Sequence, residues 1–78
     1  MWEIVGFETS FDDSGLPKSY TLYLQKPVDQ KDGSEGLKCK REWFRADQVN
    51  YDPVIGDKVV IEKEDYGKFQ VITNIYVM

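Results

Sequence analysis

Apolar and polar residues alternate at every second position through several short stretches of this chain, with turn-forming residues between them. That period belongs to strands with one buried face. Residues 19–26 (SYTLYLQK) put Tyr20, Leu22 and Leu24 on one side. Residues 37–44 (LKCKREWF) set Leu37, Cys39, Arg41 and Trp43 against Lys38, Lys40, Glu42 and Phe44. Residues 58–63 place Val59 and Ile61 together, and residues 68–77 align Phe69, Val71, Thr73, Ile75 and Val77 opposite Gln70, Ile72, Asn74 and Tyr76. Residues 2–8 mix β-branched and aromatic residues around Gly6, where a bulge or sharp bend is expected. No long helix is predicted.

The punctuation is equally clear. Asp12-Asp13-Ser14-Gly15-Leu16-Pro17 is a run of turn formers that ends the first strand, and Pro27 stops the second. Residues 27–36 (PVDQKDGSEG) are polar and are expected to form the longest and most mobile loop. Residues 45–49 read as one helical turn, while Asp52-Pro53 and Gly56-Asp57 are turn signals. Glu64-Asp65-Tyr66-Gly67 reads as a tight hairpin connection with Gly67 at positive φ. Five strands in 78 residues predict a single all-β domain over residues 1–78: a small five-stranded barrel of the OB type. The alternative is an SH3-like barrel. Closure removes the exposed edges that a short all-β chain must manage.

A domain this short buries only about 60% of its unfolded surface, so its core is thin. No disulfide supplements it, because Cys39 is the single cysteine, and there is no histidine. Structural zinc, haem and histidine-dependent catalysis are accordingly not expected, and neither is any cofactor. Cys39 shares its strand face with Leu37 and is expected to be a small buried apolar residue. The carboxylate groups Asp12-Asp13 and Glu62-x-Glu64-Asp65 lack the spacing of a calcium loop and read as solvated turns. A non-enzymatic protein is expected. The first residues carry no basic segment followed by an apolar run, and no stretch approaches 20 apolar residues, so the expected location is the cytoplasm, away from membranes.

Net charge is −4, yet it is unevenly spread: −4 over residues 1–15, +3 over 16–45 and −3 over 46–78. Eleven residues are Phe, Trp or Tyr, more large rings than a small barrel hides. Rings beside basic side chains on a β-surface form the usual platform for single-stranded nucleic acid, with bases stacked on rings and Lys or Arg on phosphates. Lys18, Lys38, Lys40, Arg41 and Arg45 are candidate phosphate contacts, and Tyr20, Tyr23, Trp43 and Tyr66 are candidate stacking faces, with Lys68 beside the last. The acidic total favours the rival reading, a protein-interaction module that pairs with itself or another protein.

Gly15-Leu16-Pro17-Lys18-Ser19-Tyr20-Thr21-Leu22, then Tyr51-Asp52-Pro53, a glycine, a Val-rich strand, the tip Tyr66-Gly67-Lys68 and a closing apolar strand form a familiar order. In this order the chain resembles the single-stranded DNA-binding, helix-destabilising proteins of filamentous phages. The resemblance implies an OB fold, a homodimer and sequence-tolerant binding of single-stranded DNA by a protein of a phage or mobile element. It also implies that Tyr20 is a DNA-stacking tyrosine and that residues 66–68 tip a protruding hairpin.

Overall fold

Val, Ile, Tyr, Phe and Thr recur in the segments that become strands, and Gly and Pro fall between them. A computed structural model describes residues 1–27 and 35–78. Its strands are β1 (Trp2–Phe11), β2 (Pro17–Pro27), β3 (Leu37–Arg45), β4 (Lys58–Tyr66) and β5 (Phe69–Val77). They form one antiparallel sheet in the order β3-β2-β1-β4-β5. β1 thus lies between β2 and β4, as in an OB-type barrel; in an SH3-like barrel its second neighbour would be the last strand. The sheet curls enough for β3 and β5 to meet, but among the described residues no ladder joins them. The fold is barrel-like and unclosed. Residues 28–34, within the long loop expected from sequence, lie outside the described residues. Residues 46–48 form a turn, with Gln48 N–H donating to Arg45 C=O at 3.0 Å, in place of the expected helical turn.

Two extra residues decide which side chains face inward. Ile4 pairs with Leu24 and Gly6 with Tyr23, which leaves Val5 as the bulge beside Gly6. Gly6 carries no Cβ, and Tyr23 lies over it; an added Cβ would sit 3.7 Å from Tyr23 Cδ2. On β5, Glu62 pairs with Asn74 and Lys63 with Ile72, so Thr73 is the extra residue. This bulge corrects the expected single face of residues 69–77. It reverses the alternation, turning Ile72 and Ile75 both inward while Phe69 is 73% exposed. Each buried isoleucine contributes about 1.5–3 kcal/mol, which strict alternation would forfeit for one of them.

β3 is also turned over relative to its hydropathy. Phe44 is 1% exposed, with its ring centroid 5.3 Å from that of Tyr20. The inward side is therefore Lys38, Lys40, Glu42 and Phe44, and Leu37, Cys39, Arg41 and Trp43 face outward. Cys39 is exposed, which corrects its expected burial. Ile4, Leu22, Leu24 and Val59 complete the centre, and Val49 reaches it from the 46–57 connection.

That connection is pinned by Tyr51, whose hydroxyl donates to Asp57 Oδ2 at 2.7 Å, and by Gly56 N–H donating to Ile4 C=O at 2.8 Å. Partial burial first, and then the hydrogen bond and charge of Asp57, push the Tyr51 phenol up to about 12. A folded-state value above the unfolded one stabilises the domain below the unfolded value of about 10 and loses that contribution as pH rises through the window between them. At pH about 11, Tyr51→Phe is expected to leave phenolate absorbance nearly unchanged while removing its late final rise. Loss of an early step instead would contradict the Tyr51–Asp57 contact.

Candidate nucleic-acid interface

The β2–β3 ladder runs without a register shift from Ser19↔Arg45 to Pro27↔Leu37. A bulge near residue 42, which would gather the basic residues of β3 on one side, is absent from it. Directly opposed pairs on the outward face are Thr21↔Trp43 and Tyr23↔Arg41, with Ser19↔Arg45 at the end. Opposed Cβ atoms lie about 4.5–5.5 Å apart and diagonal neighbours remain within reach of aromatic side chains. Tyr23, Arg41, Trp43 and Arg45 therefore form one surface in which rings and guanidinium groups interleave. Trp43 is 56% exposed.

The same face has definite borders. Glu8 pairs with Thr21 and supplies its nearest acid on β1. Arg45 is tied to Asp47, Nη2 to Oδ2 at 2.9 Å, in a pair that is open to solvent and worth little. Beyond Trp43 a cleft of about 120 Å³ opens at the β3–β5 seam, lined also by Arg45, Gln48 and Gln70. Neither glutamine carries a sequence signal; only the curl of the sheet brings residues 48 and 70 together.

The other candidates fall elsewhere. Tyr20 is 8% exposed and packs on Phe44, so it is a core residue; this corrects its assignment as a stacking face. Its place in a Tyr-x-Leu-x-Leu alternation made burial legible, and the ring fills the end of the core as a leucine would. Lys38 and Lys40 belong to the inward side, opposite Arg41 and Trp43, which corrects their grouping with them. Lys18 is exposed at the start of β2, where its carbonyl accepts from Ala46 N–H at 3.0 Å.

Tyr66 and Lys68 stand at the tip of the β4–β5 hairpin, where Gly67 adopts φ 62°. Every residue from 62 to 70 is exposed. The radius of gyration is 14.1 Å, against about 11.5 Å for a compact chain of this length. The Tyr66 hydroxyl donates to Glu64 Oε2 at 2.9 Å, which raises its phenol above the usual range. Phe69, paired with Tyr66, gives the tip a second exposed ring.

No helix among the described residues is long and apolar enough to cross a membrane. No family model, curated protein or solved structure matches the chain.

Proposed function

We propose that this protein binds single-stranded DNA without strong sequence preference, using the outward face of β2 and β3. The observation that carries the reading is the interleaving of half-buried Tyr23 and exposed Trp43 with exposed Arg41 and Arg45 on neighbouring strands. Rings accept any base by stacking, and arginines accept the phosphates between them. Gln48 and Gln70 offer amides to the edge of a base stacked on Trp43. The exposed tip carrying Tyr66, Lys68 and Phe69 makes a second contact with the strand. The acids that give the net charge of −4 are concentrated at residues 1–15 and 46–78, and of those on β1, Glu8 pairs with Thr21 and Glu3 with Gln25 at the far end of this face. A phage or mobile-element protein acting in the cytoplasm fits this role.

A second reading is a self-pairing interaction module. It draws on Val60 and Tyr76, direct cross-strand partners that are 40% and 47% exposed on the β4–β5 hairpin. A homodimer joined through that apolar pair is compatible with either reading and leaves the β2–β3 face free.

Tryptophan emission separates the two. Oligo-dT added at low salt is expected to quench Trp43, with affinity falling as salt rises by a log–log slope of about −0.7 per phosphate contacted. The quenching should persist in Trp2→Phe, where Trp43 is the only tryptophan. Absence of quenching with micromolar protein and DNA would discard the DNA reading in favour of the interaction module.

A further inference from the structure

The inward end of the barrel-like sheet holds an excess of positive charge that the outward binding face does not use. Lys26 and Lys38 are direct partners across the β2–β3 ladder, and Lys40 follows Lys38 on the same face. Like charges set directly opposite one another destabilise a sheet. Two of these lysines converge on a single ring: Lys26 Nζ lies 4.6 Å and Lys40 Nζ 4.3 Å from the Trp2 ring centroid. The ring's quadrupole attracts each cation but neutralises neither.

The nearby carboxylate is already committed. Glu42 Oε2 lies 2.6 Å from Lys63 Nζ and 3.6 Å from Lys40 Nζ, and its side chain is only 12% exposed. It is held by charge proximity, without an aligned hydrogen bond. Glu42 thus meets two lysines, 40 and 63, and Lys26 and Lys38 have no ion-pair partner among the described residues. Beside the cluster, Lys26 also lines a cleft of about 370 Å³ with Lys58, Gln25, Leu37 and Glu3, while Trp2, Lys38 and Lys40 do not line it.

We propose that the Lys26–Trp2–Lys40 cluster is a phosphate-binding seat, completed by Lys38 and separate from the Trp43 face. A phosphate oxygen between Lys26 and Lys40 accepts from both ammonium groups while Trp2 forms the floor. Lys38 relieves its opposition to Lys26 by donating to the same group. Glu42 keeps Lys40 in place. The phosphate belongs either to a free phosphate compound or to the backbone of a strand that passes the mouth of the sheet. The seat does not depend on the DNA reading.

The test uses the full chain with Trp43→Phe, which makes Trp2 the only tryptophan. Inorganic pyrophosphate and an abasic deoxyribose-phosphate oligomer are each titrated at ionic strength held constant with sodium chloride. A saturable change in Trp2 emission is expected, and Lys26→Gln or Lys40→Gln should each weaken it about tenfold, the ordinary worth of one charge-assisted contact. Circular dichroism of the same samples verifies that the variants are folded. A response to pyrophosphate alone assigns the seat to free phosphates, and a response to the oligomer assigns it to a strand backbone. No saturable response to either probe, or one that both glutamine variants leave intact, overturns the seat. Because Trp43 quenching by oligo-dT is read separately in Trp2→Phe, failure of the seat and failure of the DNA reading are distinguishable.

Discussion

Phe44→Ala is expected to leave the domain largely unfolded at room temperature. The ring is 1% exposed and packs against Tyr20, where β2 and β3 meet the turn that carries Val49. Truncating a buried phenylalanine costs about 3–5 kcal/mol, because the lost transfer energy is joined by the cost of the cavity. At roughly 0.05–0.15 kcal/mol per residue, the whole chain of 78 residues holds only about 4–12 kcal/mol. No disulfide limits the loss, since Cys39 has no partner in the chain. Urea unfolding followed by circular dichroism measures the change, and Trp43→Ala is its control. Trp43 is adjacent in sequence and just as bulky, but it is 56% exposed, so its removal should shift the midpoint far less. Equal losses from the two variants would mean that β3 is turned the other way in solution.

The paired outcome exposes what the sequence leaves open on β3. The strand itself, its limits near 37 and 45, and its antiparallel partner follow from the alternation and from Pro27 and Gly36 at its flanks. Its facing does not. Leu37, Cys39 and Trp43 make one side the more apolar, whereas the opposite side has Phe44 and three charged residues. Phe44 continues the row that Tyr20, Leu22 and Leu24 begin, and Lys40 covers apolar surface with its stem while its head meets Trp2 and Glu42. Trp2 lies on β1 and the row Tyr20, Leu22 and Leu24 on β2, so no reading confined to residues 37–44 finds them. The inversion separates Arg41 and Trp43 from Lys38 and Lys40, which divides one expected basic site between two faces.

Bulges account for the remaining differences. The one at Val5 was legible because Gly6 interrupts a strand pattern, and glycine in that setting marks a bulge. The one at Thr73 has no such mark. It follows from the position of Ile72 and Ile75, two isoleucines three residues apart that a regular strand cannot bury together. Val49 and Tyr51 likewise join the core region from a connection whose composition reads as surface loop.

For binding, the largest effect is expected from Arg41→Glu combined with Trp43→Ala. Stacking on an exposed ring contributes about 1–3 kcal/mol by alanine substitution, which is about 5–150-fold in affinity for Trp43 alone. Reversing Arg41 removes a phosphate contact and adds repulsion, so the log–log salt slope should also become shallower by about 0.7. Since Arg41 lies opposite Tyr23, the reversed charge stands beside the second ring as well. Oligo-dT binding followed by anisotropy of a labelled strand should then be lost at micromolar concentrations, while circular dichroism remains that of the parent because neither residue is buried. The contrasting variant is Lys38→Gln with Lys40→Gln, on the inward side. It should retain stacking on Trp43 and change only the environment of Trp2. If the lysine variant abolishes oligo-dT binding and the Arg41–Trp43 variant leaves it strong, the strand follows the inward face, and the outward rings serve contact with protein.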